Sequence, residues 1–279
     1  MKTHRFSSLM CATLLISFSS CESELGTTDL TEETSFVEAY VDAESVIIHT
    51  LALVDEILRD SIFISTDSTV LYSEIKAVSN NNEMSIFYGF QGGGTTFPDG
   101  VLRSGHISVS VSNGNYDDVG STSTIVFDNF TFKSGSCRGT VTLVNNGGQS
   151  NGHEFDYSTS NFEINNNALT LNRTMLFVSD FLPLEKSNRQ LTITSNDTTR
   201  FYHNEKGVSA DVVFVSPLTY EDVCEYRITS GELDVFVDTP LSETTNLSVD
   251  FLGENDCANL IRGYSVEKDE FFFIAKRGF

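Results

Sequence analysis

Cys21 is the residue whose position in this 279-residue chain points most directly to a chemical modification. Lys2 and Arg5 precede an apolar run over residues 9–18, and serines separate that run from the cysteine. A basic start, a short apolar centre and small residues before the cut are typical of a bacterial export signal, and the run is too short to stay as a membrane-spanning helix. We expect residues 1–20 to be removed and lipid to be attached to the thiol of Cys21.

A second interpretation of this segment stays open, because Phe18 stands where a bacterial lipidation motif usually carries Leu, Val or Ile. An ordinary secretory signal cut near Ser20 would leave Cys21 as an incidental thiol. The polar residues 21–34 are typical of a flexible tether and favour lipidation, and palmitate-type chains anchor firmly because each buried methylene contributes about 0.8 kcal/mol. The expected location is the outer membrane, with surface exposure a hypothesis and a periplasmic or secreted protein the alternative.

The remaining cysteines allow one disulfide in an oxidising compartment. Cys224 and Cys257 both stand at predicted strand ends, and a bond across their loop of about 33 residues would stabilise the fold by roughly 3 to 4 kcal/mol. Cys137, in a predicted turn over residues 134–137, would then have no partner. The sequence contains no CxxC pair and its histidines are scattered, so we expect no metal ion.

The composition of the chain limits the classes of partner that it can bind. Its formal charge is −22. Removal of the signal also removes Lys2 and Arg5, so 15 basic and 39 acidic residues remain and the charge becomes about −24. Such a field repels nucleic acid and anionic lipid, so neither is an expected partner. The 22 phenylalanines can build a large core. Tryptophan is absent, which disfavours glycan binding because sugars often stack on tryptophan rings.

The search for a catalytic site is negative. The sequence has no GxSxG, HExxH, Walker loop or dinucleotide fingerprint, and we expect no catalytic residue and no cofactor. The acid pairs Asp117 with Asp118 and Glu254 with Asp256 could bind calcium or act in glycoside hydrolysis, although acid-rich turns are usually solvated loops.

The predicted elements of the fold come from two spacings at which apolar residues recur in the sequence. Residues 35–60 carry apolar side chains at helical spacing, with Glu44 and Asp55 mostly off the apolar stripe, which predicts an amphipathic helix packed on a sheet. From residue 61 onward the period is two, as in the strict alternation of residues 106–112. The prediction is a mainly β fold, an antiparallel β-sandwich or partly closed barrel with one N-terminal helix.

Two packed β units are predicted within this fold. Residues 61–184 form the first and residues 185–279 the second, divided near Pro183, and a single continuous sandwich is the alternative. Turns are expected at the Gly- and Asn-rich clusters between strands, among them residues 145–148 and 230–231.

Two stretches of the sequence resemble β-rich lipoproteins of Bacteroidota. The first is Phe97-Pro98-Asp99-Gly100-Val101-Leu102-Arg103-Ser104-Gly105-His106-Ile107, followed by Phe127-Asp128-Asn129-Phe130 and Arg138-Gly139-Thr140. The second runs from Cys224 to Cys257. The resemblance covers about residues 84–275 and implies a C-terminal pair of cysteines, but it implies no known activity. The chain departs from the pattern at residues 92–94, where a further cysteine is expected.

The same resemblance implies two further modifications. Glu22 and Glu24 are similar to the acidic signal that sends lipoproteins of these bacteria to the cell surface. Three triplets fit their O-glycosylation pattern and place candidate sites at Ser61, Ser68 and Thr198.

Three functions remain as hypotheses from the sequence. The leading one is a non-enzymatic, lipid-anchored interaction or structural module of the envelope, with an unknown protein or glycan partner and the membrane contacted through the N-terminal lipid. The second is a surface lipoprotein that binds a glycan or another nutrient. The third is a carboxylate-dependent hydrolase.

Overall fold

The computed structural model of the protein describes residues 31–71, 74–80, 83–89, 93–96, 101–133, 135–149, 152–178, 190–195, 197, 199–205, 207–221, 227–238, 245–252 and 260–275. It confirms the predicted fold class, because the chain is mainly β, with its strands in one large antiparallel sheet and a long helix at the N-terminal side.

Two helices precede the strands: α1 covers Thr31–Arg59 and α2 covers Ser61–Thr66. Residues 31–34, predicted as the last part of the tether, form the first turn of α1, where the acidic side chains of the sequence suit the helix dipole. Among the described residues, neither helix has the length and apolar character that crossing a membrane requires.

Helix α2 lies where the first β unit was predicted to begin, so that part of the prediction is wrong. The Asp60 carboxylate accepts a hydrogen bond from the Ile62 N–H at 2.9 Å and caps the start of the helix. Asp67, in the left-handed conformation with φ of 56°, ends it by donating its N–H to the Phe63 carbonyl. Local capping therefore overrides the β propensity of the apolar run Ile62-Phe63-Ile64.

The strands are β1 Ser68–Leu71, β2 Ile75–Asn80, β3 Glu83–Tyr88, β4 Thr95–Thr96, β5 Leu102–Ser112, β6 Thr122–Phe132, β7 Gly135–Gln149, β8 Gly152–Ile164, β9 Asn167–Thr170, β10 Asn172–Val178, β11 Gln190–Thr194, β12 Thr199–His203, β13 Val208–Glu221, β14 Arg227–Asp238, β15 Thr245–Phe251, β16 Leu260–Ser265 and β17 Glu270–Ala275.

The sheet follows the chain with few departures. Its first part is β1–β2–β3–β5–β6–β7–β8, with the short β4 on β5. β8 then pairs with β10 along one half and β9 along the other, and these lead through β11 and β12 to β13. The last part is β13–β14–β15–β16–β17. Strands from both predicted β units thus share one sheet, and the boundary at 184 lies outside the described residues.

Two clusters predicted as turns lie inside strands, so those turn predictions are wrong. Residues 145–148 belong to β7, where Asn146 is an extra residue opposite β8 and the Gly147 N–H bonds the Asn145 side-chain oxygen at 2.7 Å. Gly231 belongs to β14, where Pro217 and Leu218 of β13 stand opposite it. A β-bulge absorbs the residue that would otherwise force a turn.

The sheet wraps most of α1. Asp42 and Glu44 are two residues apart and therefore point about 200° apart around the helix. Asp42 is 2.9 Å from Lys133 in the turn after β6, whereas Glu44 pairs with Arg173 of β10. The side of Asp42 is an exposed or half-buried stripe that also carries Glu38, His49 and Glu56. Buried residues occupy the other sides of the helix: Phe36, Val37, Tyr40, Val41, Ala43, Val46, Ile47, Ile48, Leu51, Ala52, Leu53, Val54 and Ile57.

Glu44 and Asp55, which the sequence places mostly off the apolar stripe, are not solvated. Both are buried, Glu44 completely. The reason is that the sheet covers α1 well beyond the apolar stripe, so these two acidic side chains must find partners inside.

One of these partners is Arg173, whose side chain is as fully buried as that of Glu44. Arg173 Nη1 lies 2.5 Å from Glu44 Oε1, and both side chains have 0% exposure. Tyr40, one helical turn before Glu44, donates its hydroxyl to the same carboxylate oxygen at 2.6 Å and accepts a hydrogen bond from Arg173 Nη2 at 2.8 Å. Arg173 also donates to Thr199 Oγ1 and lies 4.4 Å from the Phe214 ring centre. The pair joins α1 to three strands.

The charges of this cluster support each other. Burial acts to lower the pKa of Arg173, but Glu44, Tyr40 and Tyr157 together outweigh it and hold the pKa above its usual value. Burial raises the pKa of Tyr40, and Glu44 raises it further against the opposing effect of Arg173. The guanidinium therefore stays charged and the phenol stays protonated as a donor.

Removing Arg173 should destabilise the fold strongly. We expect Arg173→Met to lower the free energy of unfolding in urea by about 3 to 5 kcal/mol, since it leaves the Glu44 charge buried without its cation. The double variant Glu44→Leu with Arg173→Met should lose less than Arg173→Met alone. Arg200→Met, which removes the exposed pair with Asp211, should cost less than about 1 kcal/mol. Equal losses for Arg173→Met and Arg200→Met would contradict the role of the buried pair.

Candidate binding groove at the end of helix α1

A groove of about 460 Å³ opens where α1 ends, and we call it the distal groove. It is lined by Leu58, Phe63, Ile64, Asp67, Ser79, Met84, Val109, Val111, Gly114, Asn115, Tyr116 and Asp117. Apolar side chains line its inner part, its rim carries acids and amides, and polar atoms form about half of its surface. One wall is the segment 60–67 that contains α2, and the other is the loop 113–121 between β5 and β6.

The loop wall is fastened to α1 by Tyr116. Its hydroxyl donates to Asp55 Oδ1 at 3.0 Å, and Arg59 Nε donates to the same oxygen at 2.7 Å. Arg59 also lies over the Tyr116 ring, 5.5 Å from its centre, and 2.9 Å from the carboxylate of Asp117. Asn145, from the bulge in β7, donates its side-chain amide to the Tyr116 carbonyl at 2.9 Å. The loop therefore has a defined position beside the helix end.

The helix wall is fastened by Asp60. One carboxylate oxygen caps α2 and the other accepts a hydrogen bond from Thr69 Oγ1 of β1 at 2.7 Å. Phe63 turns into the core, while Ile62 and Ile64 are 59% and 68% exposed. Because this apolar run forms a short helix, it presents two large aliphatic side chains to solvent, and Ile64 is the one in the groove.

The groove has a negative rim. Asp67 is exposed there, and Asp117 is balanced by Arg59. The Asp118 carboxylate accepts hydrogen bonds from the backbone and side-chain nitrogens of Asn115. With Asp55 also held by Arg59, this end of the molecule carries more acidic than basic side chains, which favours a cationic ligand.

The electrostatics of Asp55 keep its partners in fixed protonation states. Burial raises the pKa of Tyr116, and the charge of Asp55 raises it further. For Arg59, burial acts to lower the pKa, but Asp55 and Asp117 outweigh this and raise it. Tyr116 remains a donor and Arg59 a cation, so the loop is held by charge-assisted contacts.

The chemistry that this arrangement supports is binding. Asp55 and Asp117 are paired with Arg59, and the apolar side chains of the groove can bury side chains of a ligand. Within the described ranges, no group of three or more His, Cys, Asp or Glu side chains is placed to hold a metal ion.

Most residues predicted as sites are not among those described by the structure. Cys21, Cys224, Cys257 and Thr198 fall outside the described residues, as do Glu254 and Asp256. Ser61 is exposed at the start of α2, and Ser68 is half-buried at the start of β1. O-glycosylation at these two serines stays a prediction.

The predicted turn at Cys137 is wrong, because Cys137 lies in β7 opposite Phe130 and Ile164. Its side chain is buried, it forms no disulfide with any described residue, and burial raises the pKa of its thiol. Such a thiol packs as a small apolar group.

Of the predicted acid pairs, Asp117 reaches the groove, but as a partner of Arg59. Arg59, Tyr116 and Ile64 were missed as groove residues. The cap signal at Asp60 could have revealed α2 and its exposed isoleucines. No signal in the sequence connects Tyr116 with Asp55, which are 61 positions apart.

No protein-family model matches the sequence, and no curated protein and no solved structure matches it either. The resemblance to β-rich lipoproteins of Bacteroidota stays a prediction.

Proposed function

We propose that the protein is a lipid-anchored envelope module without enzymatic activity, which holds the distal groove away from the membrane to bind a partner. The observation that carries the proposal is the position of the groove at the opposite end of α1 from the tether. The proposed anchor, Cys21, precedes the helix start at Thr31 by ten residues.

The length of α1 sets the distance between the two ends. Its 29 residues span about 43 Å at 1.5 Å per residue. Leu58 at the far end lines the groove. A chain anchored before Thr31 therefore carries the groove several nanometres along the molecule from its attachment point.

The partner that suits the groove is a polypeptide segment with apolar and basic side chains. Ile64 and the apolar interior can bury aliphatic groups, and the acidic rim attracts cations. A glycan suits it less, because both aromatic rings that line the groove, Phe63 and Tyr116, are buried and present no open face for stacking.

Lipid attachment is tested by labelling cells with palmitate and digesting intact cells with protease. Wild-type protein should carry the label, and Cys21→Ser should lose it, since the acceptor thiol is gone. Digestion of labelled protein on whole cells supports surface display, and a protected but labelled protein indicates attachment facing the periplasm. An unlabelled wild type would contradict the anchor and support an exported protein without lipid.

The groove is tested with a short peptide of alternating leucine and lysine and its leucine–glutamate counterpart, using fluorescence anisotropy. The basic peptide should bind and the acidic one should not. Ile64→Asn should weaken binding about three- to tenfold, because it removes apolar surface from the groove. Val126→Asn, which changes an exposed valine on the outer face of β6, is the matched control. Equal binding by both variants would mean adsorption by charge alone and would contradict a specific groove.

A further inference from the structure

The hairpin of β16 and β17 carries an exposed apolar surface at the edge of the sheet. Phe271 and Phe273 are each 59% exposed and Val266 in the turn is 52% exposed. The Tyr264 ring lies 4.8 Å from that of Phe271 on the same outer face. We call these four residues the aromatic patch.

The outer surface next to the patch carries polar and charged side chains. Tyr264 pairs across the sheet with Ser248, and Ser248 pairs with Asp234. The position next to Phe273 is Arg262, whose neighbour in β15 is Asp250, at 2.6 Å. Apolar side chains are also exposed farther along this face, at Phe236 of β14 and Val213 of β13 with 38% each, but the hairpin combines three that are more than half exposed.

The turn of the hairpin lies beside the start of α1. Lys268 Nζ is 2.5 Å from Glu33 Oε1, and Glu33 is the third residue of the helix. The chain between Cys21 and Thr31 can extend at most about 35 Å. A lipid on Cys21 would therefore hold the aromatic patch close to the bilayer.

We propose that the aromatic patch contacts the membrane interface and orients the anchored protein, an inference that rests on the anchor of the proposed function. Aromatic side chains favour the headgroup level of a bilayer, where a ring can be buried while polar groups stay wet. The negative charge of the whole chain opposes attraction by anionic lipid, so the contact is apolar and suits zwitterionic headgroups. One membrane contact alone attaches a protein weakly. A lipid chain and an apolar protein surface together attach it firmly.

The absence of tryptophan from the chain makes a direct test simple. Phe271→Trp introduces a single emitter in the patch. Phe87→Trp, at a 39% exposed position on the outer face of β3, is the matched control. Both variants of the lipidated protein are mixed with phosphatidylcholine vesicles whose acyl chains carry bromine near the headgroup. Bromine should quench the Phe271→Trp emission at least about twofold more than the Phe87→Trp emission.

A second form of the quenching experiment tests the aromatic patch independently of lipid attachment at Cys21. The chain from residue 22 with an N-terminal histidine tag is held on vesicles that contain nickel-chelating lipid, so no acyl chain is needed. Preferential quenching of Phe271→Trp there supports the patch even if palmitate labelling fails. Equal quenching of the two variants overturns the inference even if labelling succeeds. A Phe271→Trp emission that shifts with protein concentration and ignores bromine also overturns it and assigns the patch to a second copy of the chain.

Discussion

The fold depends on the buried ion pair of Glu44 and Arg173, because it is the polar contact that ties the central helix to the middle of the sheet. Removing two charges from water is expensive, and the structure offsets that cost with Tyr40, Thr199 and the Phe214 ring. Apolar contacts are less directional than an ion pair, so they specify the rotation of α1 less sharply. A pair with one geometry favours a single position, which in turn sets where each helix end emerges from the sheet.

Each end of α1 has its own polar contact, and these contacts separate the molecule into two functional ends. At the start, Glu33 meets Lys268 and brings the aromatic hairpin beside the proposed tether. At the finish, Asp55 and Arg59 hold Tyr116 and shape the distal groove. The same helix thus relates a surface suited to the membrane interface to a groove suited to a basic, apolar segment.

The elements that could be predicted from the sequence are those with a strong local signal. The helical period of residues 35–60 and the alternation of residues 106–112 both correspond to elements of the structure. What could not be predicted depends on contacts between distant positions. A bulge looks like a turn when the opposite strand is unknown, as at residues 145–148. Glu44 looks like a solvated acid until Arg173, 129 positions later, lies against it. The groove shows both difficulties, since the short apolar run of α2 resembles a strand in the sequence and Tyr116 contacts Asp55 only in the folded chain.

Hydrogen–deuterium exchange of the backbone amides of α1, followed by mass spectrometry of its peptides, tests the enclosure of the helix most directly. A helix that the sheet wraps on most of its sides and holds through Glu44 should exchange mainly when the sheet opens, so its amides should be among the slowest of the chain. Exchange of Tyr40 to Val54 as fast as that of the exposed helix α2 would contradict this account, because it would place α1 outside the sheet.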